Sequence, residues 1–294
     1  MALGPLGFET AWVSEIDAAP CAVLAQLYPK VPNLGDMTKI AALIRDCFVP
    51  APDMLCGGTP CQAFSIAGLR NSLDDERGNL SLVFCEIADE IDKRRAADGL
   101  LPAVILWENV PGVLSTSDNA FGCFLAGLAG EDDPIQPPGA KWSNAGCVYG
   151  PKRAVAWRVF DAQYFGVAQR RRRVFVVASA REGFDPAAVL FEFDGVRRDI
   201  APLSRPYPTI DCGIWRKRQC NQWVRNGFAI ARSGGVSNPT VTEVERMFGF
   251  PDSYTDVPGV SIVSRYAMLG NSWAVPNVVW IGKRIRAALD RSAA

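Results

Sequence analysis

The 294-residue chain contains no histidine. Mechanisms that need an imidazole are therefore closed to it: a Ser-His-Asp triad, a Cys-His dyad and a His-ligated zinc all disappear together. Long apolar runs are also lacking. Stretches such as Ala103 to Trp107 fall far short of the roughly 18 residues a membrane span needs, so no membrane partner is expected. The first residues, Met1 to Phe8, have no charged side chain and are broken by Gly4, Pro5 and Gly7, which argues against a signal peptide. Nine cysteines with no export signal point to reduced thiols in a cytoplasm. Internal repeats and low-complexity tracts are missing. What remains, 49% hydrophobic and 21% charged, is ordinary for a globular protein and excludes disorder and collagen-like arrays. The length suits one large domain, or a core domain plus a small one.

Net charge is zero, but its distribution is uneven. Residues 1–150 carry 9 basic and 19 acidic side chains, a net −10; residues 151–232 carry 16 and 7, a net +9; the remainder is +1. A basic middle third suggests a surface that faces a polyanion, because Lys and Arg displace counterions from phosphates. Solvated arginines balanced by acidic neighbours are the other reading.

The N-terminal half alternates short apolar strands with helical stretches, the pattern of an α/β domain with a parallel sheet. Strands are predicted at Thr10 to Ile16, Asp53 to Cys56, Ala103 to Trp107 and Val174 to Ala178. Helices are predicted at Ala18 to Leu27, with Pro20 tolerated in the first turn, and at the amphipathic Leu80 to Ala97. Gly130 to Gly150 reads as a long surface loop. From 183 to 240 the signals weaken, and arginines, prolines, Trp215 and Trp223 are scattered among turn residues, as in a small irregular module. Helical periodicity returns at Thr242 to Phe248 and Val275 to Leu289.

Several residues can carry chemistry. Acidic groups at the carboxyl ends of parallel strands lie where doubly wound folds bind ligands. Glu15 is so placed and could hold two ribose hydroxyls; Asp36 is a second candidate. A surface or capping carboxylate is the alternative for each. Cys61, in Gly57-Gly58-Thr59-Pro60-Cys61-Gln62, sits among turn formers, and a helix N-terminus after it would favour its thiolate. Cys21, Cys47 and Cys85 read instead as small buried hydrophobes. Cys56 and Cys61 are poorly spaced for a metal, and none is expected. Glu108, at a strand end, could donate a hydrogen bond to a ring nitrogen, or simply pair with an arginine. In Gln169-Arg170-Arg171-Arg172-Arg173, strand alternation puts Arg171 and Arg173 on one face and Arg170 and Arg172 on the other.

Taken together, Pro60-Cys61-Gln62, Glu108-Asn109-Val110, Gln169-x-Arg171-x-Arg173 and Gly270-Asn271-Ser272 resemble, in order and rough spacing, the DNA (cytosine-5)-methyltransferases of bacterial and bacteriophage type. Trp157 to Arg173, Thr242-Glu243-x-x-Arg246 and Gly249-Phe250-Pro251-Asp252-x-Tyr254 extend the likeness from about Gly7 to the C-terminus, with 183–240 as the variable part. The resemblance implies an S-adenosylmethionine-dependent, Rossmann-like α/β sheet. Residues 1–182 and 263–294 would form the catalytic domain and 183–262 a target-recognition domain. Family members open with a strand and a Phe-x-Gly-x-Gly-type turn; Met1 to Phe8 matches only the family's stretch after that turn, so the first strand is expected to be missing.

The resemblance also implies roles. Cys61 would attack carbon 6 of a flipped cytosine, Glu108 would hold ring nitrogen 3 and the amine, and Arg171 and Arg173 would position the carbonyl. Pro60, Gln62, Asn109 and Gln169 would line the base. For S-adenosyl-L-methionine it implies Glu15 at the ribose, Ile16 at an adenine face, Asp36 at the adenine amine, and Leu80, Asn271 and Ser272 at the methionine end. Duplex DNA is the implied partner, acted on by a cytoplasmic monomer, in a bacterium or a phage-infected host, with any cognate restriction endonuclease acting separately. Three competing readings remain: a non-catalytic DNA-binding relative, the same chemistry on transfer RNA, and a generic thiol enzyme.

Overall fold

The computed structural model describes residues 1–60, 80–192, 230–232 and 235–292. Its chain order is α1 (Ala18–Leu27), α2 (Ile40–Arg45), β1 (Met54–Gly58), α3 (Leu80–Ala97), β2 (Val104–Asn109), α4 (Ala120–Ala129), β3 (Ala145–Tyr149), β4 (Ala154–Asp161), β5 (Arg172–Ser179), α5 (Pro186–Leu190), β6 (Ile230–Arg232), β7 (Gly235–Ser237), α6 (Val241–Phe248), α7 (Ile262–Asn271) and α8 (Val275–Ser292). Two compact units divide it: residues 1–35, 161–172 and 197–282, and residues 36–160, 173–196 and 283–294. These are divisions of packing, whereas the expected catalytic and recognition regions are divisions of function. No helix among the described residues is long and apolar enough to cross a membrane.

The second unit holds the sheet, ordered β1-β2-β5-β4-β3. β1 runs parallel to β2, with Gly58 opposite Glu108, and β2 runs antiparallel to β5. Every residue of β2 is buried, as expected of a strand covered on both faces. Over it pack α3 and α4. Trp107 stacks on Phe124 with centroids 4.1 Å apart, and Phe84 lies 6.5 Å from Phe124. Gly57 is required where the Phe84 ring crosses β1, since a Cβ there would lie 2.7 Å from Cε2 of that ring. The polar side of α3 is anchored as well: buried Arg153 donates to Asp89 at 2.7 Å and to Asp92 at 2.7 and 2.9 Å, while Asp92 accepts from the Ala103 amide.

Within the first unit, α6 starts with a capping box in which Thr240 and Glu243 satisfy each other's backbone amides, the arrangement that secures a helix start. Its apolar face, Val241, Val244 and Phe248, packs with Tyr266 and Leu269 of α7. The buried Glu245 carboxylate accepts from the Ser253 and Thr255 amides and the Thr255 hydroxyl, and meets Arg265. It fixes the turn after α6.

Several readings of the sequence need correction: the sheet is mixed rather than parallel, since β2–β5 and β3–β4 pair antiparallel, and Cys47 is exposed rather than buried. Thr10 to Ile16 is not a strand but a single parallel bridge, Val13 to Asn33; Val13 bonds Pro32 and Leu34, and no second ladder borders it among the described residues. The stretch 130–150 ends in β3 rather than remaining loop. Gly146 serves that strand, because a Cβ there would run into the Trp157 ring. Part of the weak region is regular: α5 and the β6–β7 hairpin lie inside it. Finally, α2, α4, β4 and α7 were not foreseen. Trp215 and Trp223 lie outside the described residues.

Candidate active site

In the second unit, the register of the sheet sets Gly58 of β1 level with Glu108 of β2, and Arg173 of β5 reaches that same carboxylate. Gly58 pairs with Glu108, so the chain leaving β1 enters Thr59 and Pro60 beside the carboxylate. Arg173, at the start of β5, places Nε 3.1 Å from Glu108 Oε1, with side chains only 12% and 9% exposed. Such a pair holds both groups in one geometry, because either alone would be a costly buried charge. The arginine-pairing alternative for Glu108 is thus realised, and it leaves the carboxylate at the strand end where a ligand would meet it.

Asn109 is buried. Its Nδ2 donates to the Thr59 carbonyl at 2.9 Å and its Oδ1 accepts from the Val110 amide at 2.8 Å, so it braces the loop entering Pro60. Pro60 itself is exposed, and Leu80 begins α3. Cys61 and Gln62 lie outside the described residues.

The strand alternation is as expected: Arg170 and Arg172 are exposed, Arg171 is buried and Arg173 is half-buried. Arg171 belongs to the first unit, where Nη2 donates to the carbonyls of Gly270 at 3.0 Å and Ser272 at 2.8 Å. Its guanidinium lies 4.8 Å from the centre of the Phe248 ring. These contacts close the C-terminus of α7, the end at which a cation is favoured. They also fix the Asn271-Ser272 turn, whose Asn271 side chain is exposed. Gln169 is fully buried, and neither atom of its side-chain amide has a hydrogen-bond partner among the described residues. Orphaned buried polar atoms are costly, so this amide suits an incoming polar group.

The cofactor candidates fall into both units. In the first, Glu15 Oε1 accepts from the Ile16 and Asp17 amides at 2.8 and 2.9 Å, and Asn33 accepts from the Glu15 amide. Among the described residues Oε2 takes no bond, and Ile16 is 73% exposed. In the second unit, Asp36 caps the turn before α2: Oδ1 accepts from the Thr38 amide at 3.0 Å and hydroxyl at 2.8 Å. The amide bond, then the hydroxyl bond, holds its carboxyl below the ordinary value.

Three residues of this neighbourhood were not foreseen: Thr59, Ser81 and Trp107, joined by buried hydrogen bonds. No periodicity or motif signals such a contact, because it joins three separate segments.

The sequence profile of a family described as C-5 cytosine-specific DNA methylase matches residues 1–192. A relative from Escherichia phage P1, named DNA N-6-adenine-methyltransferase, is 54% identical over 256 residues, covering 80% of this chain and 32% of that protein. The chain therefore spans about a third of that relative's length. The Type II methyltransferase M2.BsuMI of Bacillus subtilis is 26% identical over 304 residues, covering 95% of this chain and 70% of its own. The solved S. pombe Dnmt2 methyltransferase overlays with a TM-score of 0.63 at 17% identity, across 99% of this chain and 94% of that one. The fold is that of the S-adenosylmethionine-dependent, Rossmann-like methyltransferases.

Proposed function

Because the chain belongs to the C-5 cytosine-specific DNA methylase family, we propose that it methylates carbon 5 of a cytosine in a short duplex DNA sequence through a covalent Cys61–cytosine adduct. The observation that carries this reading is Glu108, held by half-buried Arg173 at the end of β2 and level with Gly58, two residues before Pro60. A flipped pyrimidine presents a ring nitrogen and an amine to such a carboxyl.

Cys61 Sγ bonds to carbon 6, and the electron pair of the 5,6 double bond moves toward carbon 5 and nitrogen 3. Glu108 shares a proton with nitrogen 3 and accepts from the amine, which stabilises that charge. S-adenosyl-L-methionine, when bound, supplies the methyl group and departs as the thioether. Solvent water then takes the carbon-5 proton, the C–H electron pair re-forms the 5,6 double bond, and Sγ leaves carbon 6 as the Cys61 thiolate. Arg173 keeps Glu108 in place throughout, while Arg171 holds the Asn271-Ser272 turn. Glu15, Ile16, Asp36, Leu80, Asn271 and Ser272 are the residues assigned to S-adenosylmethionine. Gln169, whose amide finds no partner among the described residues, is assigned to the base site, as are Pro60 and Gln62. Residues 183–262 would read the DNA sequence, with the rest as the catalytic region. A monomer acting in the cytoplasm, separately from any restriction endonuclease, completes the proposal.

The test uses tritiated S-adenosylmethionine and duplex DNA. With ordinary DNA, hydrolysis and nucleoside analysis should give labelled 5-methylcytosine; labelled N6-methyladenine, or preferential labelling of competing transfer RNA, overturns the reading. With 5-fluorocytosine DNA the final elimination is blocked. A labelled protein–DNA adduct should then accumulate, and Cys61→Ala should abolish it. Folded protein that binds DNA but yields no adduct would be a non-catalytic relative.

A further inference from the structure

The loop entering the nucleophile is fastened by a hydrogen-bond chain that packing alone does not require. Thr59 Oγ1 accepts from Trp107 Nε1 at 3.1 Å and lies 2.5 Å from Ser81 Oγ, while the Thr59 carbonyl accepts from Asn109 Nδ2 at 2.9 Å. The four residues are 6%, 0%, 3% and 5% exposed, in the order Thr59, Trp107, Ser81, Asn109. Each polar group sits in a core built from Phe84, Trp107 and Phe124. Buried polar groups are costly unless every bond is made, so this chain admits essentially one position for Thr59.

The members' neighbours are the assigned site residues. Trp107 and Asn109 flank Glu108, Thr59 precedes Pro60-Cys61, and Ser81 comes directly after Leu80. We infer that the Thr59 hydroxyl is the positioning group for the nucleophile, fastening the residue two before Cys61 to Trp107 beside Glu108 and to Ser81 at the start of α3. The inference rests on the proposed role of Cys61 and deepens it.

Chain geometry makes the link tight. Only two peptide units separate Thr59 from Cys61 in the sequence, and each adds at most about 3.8 Å of chain. Pro60 locks its own φ near −65° and restricts the backbone of the residue before it. Few soft torsions therefore separate the anchored threonine from the thiol. A slack anchor should show as a slower chemical step rather than weaker binding, because a misplacement of about 1 Å can cost on the order of 100-fold in rate.

The experiment compares Thr59→Val, which keeps the shape and removes the hydroxyl, with Thr59→Ser, which restores it, in the full chain. At saturating DNA and S-adenosylmethionine, Thr59→Val should slow adduct formation on 5-fluorocytosine duplex by about 10- to 100-fold. Its DNA affinity, by fluorescence anisotropy, should stay within about twofold of wild type, and Thr59→Ser should recover most of the rate. Equal rates for Thr59→Val and wild type per folded molecule, or a Thr59→Ser variant as slow as Thr59→Val, overturn the inference. Iodoacetamide alkylation mapped to Cys61 by mass spectrometry reads the same positioning without turnover. A wild type that forms no adduct sinks the cytosine reading, while an alkylation rate that Thr59→Val leaves unchanged sinks this one. If Thr59→Val fails to fold, Trp107→Phe, which removes one donor and keeps an aromatic ring, is judged by the same two rates.

Discussion

Two arginines two positions apart take different tasks. Arg173 neutralises Glu108 at the strand end, whereas Arg171 spends one guanidinium nitrogen on two carbonyls and sets its guanidinium carbon over the Phe248 ring. The sequence places both on one face of a strand, but their partners come from β2 and α7, and no spacing rule names those. The prediction at this scale concerns Arg171. Arg171→Met keeps much of the apolar stem and removes the donors, leaving two carbonyls at the end of α7 without them. A hydrogen bond from a charged group contributes about 1.5–3 kcal/mol, so urea denaturation should show a loss of about 3 kcal/mol.

Elements with a period were legible, and most elements without one were not. α3, α6 and α8 match apolar spacing and end close to where that spacing stops, while α1 was legible from its composition. α4 is buried at nearly every position, so it has no polar face to create a helical pattern. β3 hides behind Gly146, whose missing side chain is explained only by the Trp157 ring on the partner strand. For α6, the capping box Thr240 and Glu243 makes a local forecast. Thr240→Ala should cost about 1 kcal/mol, read as a lower urea midpoint with an unchanged slope. Because Val241, Val244 and Phe248 carry the packing, the helix should persist in circular dichroism.

At the scale of the whole molecule, the charge asymmetry bears on how the protein would meet the proposed DNA substrate. The stretch 151–232 carries a net +9 while 1–150 carries −10, so DNA should be drawn to one part of the chain and repelled by another. The logarithm of the binding constant should therefore fall linearly with the logarithm of salt, a loss of about 10³-fold between about 50 and 200 mM if some six phosphates are contacted. A flat salt profile in anisotropy titrations would refute a phosphate-facing role for that stretch.

The sequence by itself determined the α/β class, the strand-end position of Glu108, the alternation of the arginines and the family. All of these are written in local period, spacing and residue type. Tertiary structure decided the partnerships: Glu108 with Arg173, Arg171 with the end of α7, and Thr59 with Ser81 and Trp107. Those bonds join segments 22 to 101 residues apart, and only folding brings such segments within the roughly 3 Å over which a hydrogen bond acts.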